Sequence, residues 1–475
     1  MNDGKIHKKK KRKINRILTI ILLVTVLIFF GLILYINVIP ILYTILLLLL
    51  TLFIVFGLTI LNFRKKRKLR ITGYFFSTLL ISIMIFIEIY LFNTLGFLFN
   101  ITDGDYTLQN YNVIVLKTSG YKKIKKFDNK IIGFSETADE EEIDKVKEKI
   151  NNEAQVEYQK YEDISLLLEA LINKDVESII LENSEIELIK EENIDKYNLL
   201  NIIYEIEIKN DIKDLNEVIN INKEPFNIYI SGIDTFGKIN SASRSDVNII
   251  LTVNPKAEKI LITWIPRDYY VSINNSNYKD KLTHAGIYGV DSSINAIEKL
   301  LDIDINYYVR VNFTSIIEVV DLLGGITVYN DEEFMTDAGI YFKQGNITLD
   351  GENTLTFVRE RKNLATGDLG RGKNQIKVLE ALINKAISPS IIKSYNSLLK
   401  SLDDAFVTNM NKNTMIGFIK KEISDKRNWS ISSNTLIGAD SYEYTYSYKN
   451  TKLYVMLPNN DSVREAKEKI QSIMK

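Results

Sequence analysis

Cysteine is absent from this 475-residue chain, and histidine occurs only twice, as His7 and His284. Without cysteine there can be no disulfide bond and no cysteine-ligated zinc site. Two histidines leave little material for a histidine-rich metal site or a Ser-His-Asp triad. His284 is the only realistic candidate, and a lone histidine is more often structural than catalytic.

Arginine is also missing from residues 98–243. Of the eight arginines beyond residue 97, six fall between Arg244 and Arg371, where aspartates are interleaved with them. Arginine binds phosphate with two parallel hydrogen bonds and does not lose its proton. This stretch therefore predicts a site for a phosphate-rich ligand, together with a metal ion.

Negative charge is scarce at the N-terminus, although the net charge of the whole chain is zero. Residues 1–97 carry 14 Lys and Arg against only Asp3 and Glu88, which leaves 46 basic and 58 acidic residues in the remainder. A nucleic-acid partner would require an excess of Lys and Arg on the binding domain. The balance therefore argues against nucleic acid as a partner.

Long apolar runs are present at the start of the chain. They cover residues 17–38, 41–63 and 71–97. Each is long enough to cross a bilayer core of ~30 Å as a helix of about 20 residues. The first run is not a cleaved signal peptide, because two further runs follow it and no small-residue cleavage site intervenes. Residues 17–97 are therefore predicted to form three transmembrane helices.

Basic clusters on both sides of the first two runs indicate the orientation. They lie in the tail 1–16 and in the loop 64–70, whereas the turn near Pro40 has no charge. The positive-inside rule places both clusters in the cytoplasm, where they also suit contacts with anionic membrane lipids. An odd number of spans then places residues 98–475 outside the cell membrane.

An accessory α/β domain with a partly parallel sheet is predicted for residues 108–222. Strands are expected at 111–116, 130–135, 156–161, 176–182 and 202–208, with helices at 138–151, 163–173 and 183–192. The run from Tyr161 to Ile180 resembles one lobe of a periplasmic-type solute-binding protein. Solute-binding proteins of the amino-acid class hold a carboxylate with arginine, which this region lacks, so a spacer or partner-docking role is favoured over small-molecule sensing.

The arginine-rich region, residues 223–390, shows a second α/β pattern. Strands are expected at 226–232, 247–253, 259–265 and 307–313, and the last helix at 375–387. Polar groups follow the ends of adjacent strands, where open α/β sheets usually place their sites. Arg359 and Arg361 can point the same way only on an extended segment, so the helix that begins after Asp350 is expected to end near Arg359.

Seven blocks of this region resemble, in order and spacing, the LytR-CpsA-Psr family. They are Gly232-Ile233-Asp234, Arg244-Ser245-Asp246, Ile265-Pro266-Arg267-Asp268, Lys281-Leu282-Thr283-His284-Ala285, Val320-Asp321-Leu322-Leu323-Gly324-Gly325, Val358-Arg359-Glu360-Arg361 and Gly367-Asp368-Leu369-Gly370-Arg371. The resemblance implies a three-span membrane anchor followed by extracellular α/β domains, with the catalytic domain an α/β/α arrangement around a mixed central sheet. Two positions depart from the family pattern: Asn374 stands where arginine is frequent, and Val290 where a second glycine is frequent.

The family resemblance implies a phosphotransferase that moves an anionic glycopolymer, a teichoic acid or capsular polysaccharide, from an undecaprenyl-pyrophosphate carrier onto peptidoglycan. By matched position, Asp234 and Asp246 would bind Mg²⁺, with Mn²⁺ as the alternative. The catalytic set would be Asp234, Asp246, Arg267, Arg359 and Arg361. The pyrophosphate-binding set would be Arg244, Arg267, Arg359, Arg361, Arg371, Gln375 and Lys281.

Several assignments stay open at the level of sequence. Asp268 and Asp368 are alternative general bases. Arg310 is either functional or faces solvent from its strand, and Asp321 is expected to set a turn. Leu323, Ile340 and Phe342 are expected in the core rather than in a lipid groove.

Two other functions use the same regions differently. A lipid-linked pyrophosphate hydrolase would use water as the acceptor at the same site. A non-enzymatic envelope sensor or scaffold would depend on the accessory domain and leave Arg359 and Arg361 dispensable. Residues 391–475 carry no evident chemistry and are expected to complete the catalytic domain, with helices at 397–405, 413–424 and 461–474 and strands at 428–433 and 452–457.

Overall fold

The structure is a computed structural model that describes residues 2–37, 39–100, 106–211, 219–233, 243–273, 278–386, 406–425 and 427–475. Two predictions fall outside this range. The predicted metal ligand Asp234 and the predicted helix 397–405 both lie outside the described residues.

Three long apolar helices open the chain: α1 (Asn2–Ile36), α2 (Ile41–Asn62) and α3 (Arg67–Asn100). Each contains a stretch long and apolar enough to cross a membrane, at Lys13–Ile36, Ile41–Asn62 and Arg67–Gly96. Side-chain amides connect them: the Asn15 amide donates to the Asn62 carbonyl oxygen at 2.7 Å, and the Asn62 amide donates to Ser77 Oγ at 3.0 Å. Such interhelical hydrogen bonds are a common link between membrane helices. The prediction of three apolar helices is confirmed.

The accessory domain contains one five-stranded sheet. Its elements are β1 (Tyr106–Leu116), β2 (Ile131–Ser135), α4 (Glu140–Asn151), β3 (Glu157–Tyr161), α5 (Ile164–Asn173), β4 (Ser178–Glu182), α6 (Asn183–Glu192), α7 (Ile194–Asn198) and β5 (Leu200–Asp211). The strand order is β3-β2-β4-β1-β5; β2 is parallel to both of its neighbours, and β1 is antiparallel to both of its own. The side chains of Asp139 and Asp163 accept hydrogen bonds from the first turns of α4 and α5, which fixes where these helices begin. The predicted partly parallel sheet is confirmed.

The second α/β domain is built around a six-stranded mixed sheet. Its elements up to the last long helix are β6 (Phe226–Ile233), β7 (Val247–Asn254), β8 (Lys259–Ile265), β9 (Tyr270–Ser272), β10 (Lys279–Lys281), α8 (Leu282–Ala285), α9 (Val290–Leu301), β11 (Tyr307–Asn312), α10 (Phe313–Leu322), β12 (Ile326–Asn330), β13 (Phe334–Met335), β14 (Tyr341–Phe342), β15 (Gly345–Leu349), α11 (Gly351–Arg359) and α12 (Asp368–Ala386). The remaining elements are β16 (Phe406–Thr408), α13 (Lys412–Asp425), β17 (Ser430–Thr435), β18 (Gly438–Tyr444), β19 (Lys452–Pro458) and α14 (Asn460–Met474). The sheet order is β16-β11-β6-β7-β8-β17, with β6–β11 and β8–β17 parallel and the other pairs antiparallel.

Alternating residues of the central strands face two different helix layers. Tyr229, Ile250 and Tyr308 pack in a core with residues of α9 and α14. Their strand neighbours Ile230 and Ile249 line a cavity that α10 and α12 also border. Because side chains alternate across a strand, helices cover both faces of the sheet. The predicted α/β/α arrangement around a mixed sheet is confirmed.

Helix α12 begins earlier than the sequence suggested. The sequence predicted that the last long helix of this region starts at Gln375, but α12 starts at Asp368. The glycines act through packing: a Cβ on Gly372 would lie 2.5 Å from the Trp264 ring, and one on Gly370 would lie 3.0 Å from Leu364. Glycine is therefore needed for close approach inside the helix, and the predicted helix start at Gln375 was wrong.

The C-terminal residues contribute to several parts of the molecule. Strands β16 and β17 extend the central sheet at its two edges, and β18 and β19 form an antiparallel hairpin. Helix α13 groups with α1–α3, where Lys420 Nζ donates to Asn37 Oδ1 at 2.8 Å. The domain boundaries drawn from the sequence remain predictions.

Candidate active site

Charged side chains collect at one edge of the central sheet. Strand β7 starts directly after Asp246, and β8 ends two residues before Arg267. These strands are antiparallel, so the start of one lies beside the end of the other. The Asp246 backbone N–H also donates to the Gly232 carbonyl oxygen at 2.9 Å, which joins the end of β6 to the same edge.

Asp246 and Arg267 form the central ion pair of this edge. Arg267 Nη1 donates to Asp246 Oδ1 at 2.7 Å, and Arg267 Nε lies 3.7 Å from Asp268 Oδ2. The Thr283 hydroxyl donates to the same Asp246 oxygen at 3.3 Å. Sequence reasoning did not assign Thr283 a role, although it lies within the block from Lys281 to Ala285 that carried the resemblance.

Burial and charge act in opposite directions on this pair. Burial alone would raise the pKa of Asp246, but Arg267 and Arg244 outweigh it and hold that pKa below its usual range. Burial would likewise lower the pKa of Arg267, whereas Asp246 and Asp268 raise it. Both groups are therefore ionised at neutral pH, which leaves a fixed charge pattern at the sheet edge.

A second ion pair lies on the first turn of α12. Arg371 pairs with Asp368 three residues earlier, and both side chains are about nine-tenths buried. Burial lowers the pKa of Arg371, and the positive charges of Arg267 and Arg361 lower it further. These interactions bring Arg361 and Arg371 into the same charge cluster as Arg267.

Arg359 is the last residue of α11, as the sequence predicted. Glu360 is extended, with φ −61° and ψ 132°, so the chain leaves the helix between Arg359 and Arg361. Arg359 is exposed and Arg361 half-buried. Arg244, two residues before Asp246, is half-buried and interacts electrostatically with that carboxylate.

Gln375 and Asn374 hold α12 against the rest of the domain. Trp264 Nε1 donates to Gln375 Oε1 at 2.8 Å, and Gln375 Nε2 donates to the Val358 carbonyl oxygen at 3.3 Å. The Asn374 amide donates to the Phe357 carbonyl oxygen at 3.3 Å. The structure thus places both amides in positions that orient the end of α11, from which Arg359 extends.

Lys281 pairs with a carboxylate of the accessory domain. Its Nζ lies 3.1 Å from Glu192 Oε1, at the end of α6 in the accessory domain, and its side chain is only 9% exposed. The ammonium group of Lys281 is therefore used in a contact between the two domains.

Three further residues have structural partners. Arg310 is buried rather than facing solvent, and its Nη2 donates to Ser243 Oγ at 2.8 Å and to the Ser243 carbonyl oxygen at 3.2 Å. His284 is buried, with Nδ1 2.6 Å from Asp280 Oδ1, which agrees with a structural histidine. Asp321 Oδ1 accepts a hydrogen bond from the Gly351 N–H at 2.7 Å and so connects the end of α10 to the start of α11.

An apolar cavity of about 350 Å³ lies directly beside the charged edge. Val247, which follows Asp246, and Val358, which precedes Arg359, both line it. The other lining residues come from β6, β7, β11, α10, α12 and β16: Ile230, Gly232, Ile249, Val309, Val311, Ile316, Val319, Gln375, Val378, Leu379, Leu382 and Phe406. Phe342 instead packs on Phe334 and Phe357 in the core, as expected.

The donor chemistry of this edge fits a magnesium ion. Asp246 supplies a carboxylate, and the other predicted metal ligand, Asp234, lies outside the described residues. Within those residues no group of three metal-ligating side chains is present. Mg²⁺ is often held by one or two carboxylates together with substrate phosphates, so a sparse protein ligand set is in keeping with it.

Relatives of known name share this domain. The family model described as LytR_cpsA_psr matches residues 197–468. A Bacillus cereus protein named polyisoprenyl-teichoic acid–peptidoglycan teichoic acid transferase TagU is 37% identical over 211 residues, which cover 44% of this chain and 68% of that protein. The protein of the same name from Bacillus mycoides is 38% identical over 212 residues, covering 44% and 69%.

Solved structures of similar proteins cover about half of the chain. B. subtilis TagV is 28% identical, with a TM-score of 0.43, over 53% of this chain and 98% of that one. TagT bound to LI-WTA is 31% identical, with a TM-score of 0.43, over 54% and 94%. Since the family match spans more than half of the sequence and includes every block that carried the resemblance, this chain belongs to the LytR-CpsA-Psr family.

Proposed function

We propose that this chain is a membrane-anchored phosphotransferase that moves an anionic glycopolymer, a teichoic acid or capsular polysaccharide, from an undecaprenyl-pyrophosphate carrier onto peptidoglycan. One observation carries the proposal: the arginine and aspartate cluster adjoins an apolar cavity of about 350 Å³. A polyprenyl pyrophosphate has the same two parts, an anionic head and an apolar tail. The relatives named as teichoic acid–peptidoglycan transferases confirm the coarser prediction, a glycopolymer–peptidoglycan transferase of the LytR-CpsA-Psr family, and support the proposal.

The apolar cavity and the arginine cluster would bind different parts of the donor. The lipid tail would enter between the sheet and α12, and the pyrophosphate would lie at the sheet edge. There Arg244, Arg267 and Arg361 would neutralise its charge with paired hydrogen bonds. Arg359, which follows the cavity-lining Val358, would contact the phosphate nearest the tail.

In the transfer step, a peptidoglycan hydroxyl oxygen attacks the phosphorus atom that carries the glycopolymer. A new phosphorus–oxygen bond forms, and the bond to polyprenyl phosphate breaks, so that polyprenyl phosphate leaves with the electron pair. Phosphoryl transfer depends mainly on positioning and on neutralising the developing charge, which fits a site made of fixed arginines. Mg²⁺, with Mn²⁺ as the alternative, would be held by Asp234 and Asp246 and would supply additional neutralisation.

The hydroxyl proton would pass to a carboxylate. Asp268 and Asp368 are the two candidates from the sequence, and both are near Arg267. Asp368 is favoured, because its Oδ2 has no hydrogen-bond partner within the described residues and is therefore available to accept a proton.

The decisive experiment uses the full chain in detergent with Mg²⁺, a short polyprenyl-pyrophosphate glycan and peptidoglycan oligomers. Release of polyprenyl phosphate and capture of glycan are measured together for the wild type and for the Arg359→Ala/Arg361→Ala double variant. The double variant should lose at least about 10³-fold in rate, since each lost contact to the transition state typically costs about 10²–10³. Arg464→Ala is the matched control, because Arg464 is exposed on α14 and pairs with Asp461.

Each alternative function gives a different result. Release of polyprenyl phosphate without glycan capture would identify a pyrophosphate hydrolase. Donor binding without either product, and without any effect of the double variant, would identify a sensor or scaffold.

A further inference from the structure

A second cavity, of about 240 Å³, lies between the accessory domain and the catalytic domain, apart from the arginine cluster. Its chemistry is the opposite of that cluster. The lining includes the carboxylates of Glu142, Glu182 and Glu185 and the rings of Tyr111, Tyr288 and Tyr446. None of its lining residues, all of which the structure describes, is a lysine, arginine or histidine.

The carboxylate of Glu182 is incompletely satisfied. Glu182 is 6% exposed, and its Oε1 atom is buried with no hydrogen-bond partner among the described residues. The buried Tyr288 hydroxyl, which lines the same cavity, also lacks a partner in that part of the chain. Leaving a buried polar group unpaired costs free energy, so two such oxygens at one cavity point to a further donor besides the Ser184 hydroxyl, which already interacts with Glu182.

The other polar groups of the cavity are already engaged. The Tyr111 hydroxyl donates to Glu142 Oε2 at 2.6 Å, and Glu185 Oε2 accepts from the Glu182 backbone N–H at 2.8 Å. Arg310 acts on Glu182 electrostatically, but its guanidinium donates to Ser243 instead. Across the described residues, no ion pair involves Glu182 or Glu185, so no cationic side chain pairs with the carboxyl groups of these two residues.

The occupant that fits must be a cation, a hydrogen-bond donor and larger than a metal ion. No group of three metal-ligating side chains occurs within the described residues, these carboxylates included. A primary ammonium group carries three donors and no acceptor, which matches a carboxylate oxygen and a phenol oxygen. Tyrosine rings attract organic cations, and Tyr288 and Tyr446 meet edge to face with ring centroids 5.5 Å apart.

We propose that this cavity binds a primary ammonium group carried by a small molecule or a peptide side chain, with Glu182 and Tyr288 as its direct partners. The proposal does not depend on the function proposed for the arginine cluster. It also agrees with the lack of arginine in residues 98–243, since a cation site needs carboxylates rather than a guanidinium clamp.

The test measures binding to the full chain in detergent by calorimetry. The probes are n-butylamine and Nα-acetyl-L-lysine amide, with n-butanol, tetramethylammonium and Ca²⁺ for comparison. Both amines should bind, tetramethylammonium should bind more weakly because it has no N–H donor, and butanol should not bind. Tighter binding of Nα-acetyl-L-lysine amide would indicate a lysine side chain as the occupant, and tighter binding of n-butylamine would indicate a small molecule.

Matched variants assign the contacts. Glu182→Gln should weaken amine binding about tenfold or more, because a charge-assisted hydrogen bond is lost. Tyr288→Phe, which removes only a hydroxyl, should weaken it severalfold and provides a second variant if Glu182→Gln fails to fold. Glu187→Gln, an exposed position on the same helix α6, should leave binding unchanged.

Binding should also strengthen as pH rises from 6 to 8. Burial raises the pKa of Glu185 to about 7 and that of Glu182 well above its usual value, and a cation prefers the deprotonated carboxylates. The charged and titratable groups that line the cavity are Asp139, Glu142, Glu182, Glu185, Tyr111, Tyr288 and Tyr446, and Arg310, Asp280 and Lys145 act on them electrostatically from outside the lining. Binding of Ca²⁺ in preference to the amines, equal binding of butanol and butylamine, or no binding of either amine would overturn the proposal.

Discussion

Among the single residues of the active site, Arg267 pairs with two carboxylates. One guanidinium reaches Asp246 through Nη1 at 2.7 Å and lies near Asp268 through Nε at 3.7 Å. A lysine ammonium keeps the charge but is a single point, so it cannot hold two carboxylates and a phosphate in one plane. The geometry of this residue therefore matters as much as its charge.

Arg267→Lys should reduce kcat/KM for glycopolymer transfer by about 100-fold or more, the typical cost of one lost transition-state contact. Steady-state transfer rates with a polyprenyl-pyrophosphate glycan donor measure the loss. Arg464→Lys, the same exchange at an exposed site, is the control and should keep full activity. Wild-type rates in Arg267→Lys would mean that charge alone is required at this position.

At the scale of elements, helix α12 owes its position to two glycines. Gly372 lies against the Trp264 ring, and the same helix carries Arg371 and Gln375. Trp264 in turn donates to Gln375, so strand β8 and helix α12 are joined by both packing and a hydrogen bond. A change in this contact moves the arginine together with the helix.

Gly372→Ala should destabilise the protein although alanine favours helices by about 1 kcal/mol over glycine. The added Cβ would lie 2.5 Å from the Trp264 ring, and overpacking costs about 1–3 kcal/mol and displaces α12. The melting temperature and the transfer rate should both fall. Lys373→Ala, at the adjacent exposed position, should change neither; a more stable Gly372→Ala protein would show that the contact is loose.

At the scale of the molecule, the accessory domain is docked on the catalytic domain. Ile287, Tyr448 and Leu453 share a hydrophobic core with accessory residues such as Leu188. Asp163 accepts hydrogen bonds from the backbone N–H of Lys449, at 2.9 Å, and from the Asn450 amide, at 3.0 Å. A shared core of this kind favours a fixed arrangement over a flexible tether.

Lys281→Met should lower the melting temperature without changing KM for the lipid-linked donor. It removes the ion pair with Glu192 at 3.1 Å and leaves that carboxylate partly buried without its partner. Thermal unfolding and donor titration measure the two effects separately, and Lys299→Met on the exposed side of α9 is the control. A higher KM with unchanged stability would instead restore Lys281 to the pyrophosphate site.

The stability of the unliganded protein should fall as pH rises from 5 to 8. Burial raises the pKa of Glu185 to about 7, so the folded state keeps a proton that the unfolded chain loses above pH 4.5. The glutamine of Glu185→Gln cannot titrate. The free energy of unfolding of this variant should therefore fall by about 2–3 kcal/mol less than that of the wild type over this pH range. Melting temperatures across the pH series provide the measurement, with Glu187→Gln as the control; identical slopes for Glu185→Gln and the wild type would contradict it.

Local patterns were enough to predict much of the fold. The three apolar helices, the alternating strands of both domains and the end of α11 at Arg359 depend on periodicity and capping within a few residues. The start of α12 was predicted wrongly, because glycine signals a turn in a sequence but here serves contact with Trp264, more than 100 residues away.

The amino-acid pattern was enough to predict what the site is made of: carboxylates and arginines in blocks of family order, with neither cysteine nor a usable histidine. Which of these charges lie together depends on the folded chain. It paired Asp246 with Arg267, directed Lys281 to Glu192 and buried Arg310 against Ser243. The fold also forms the acidic cavity. Its carboxylates lie on separate elements of the accessory domain, and the catalytic domain completes the lining with Tyr288 and Tyr446. The interaction energy and the pKa of a charged group depend on its distance from other charges and from water. Packing between segments far apart in the chain sets those distances.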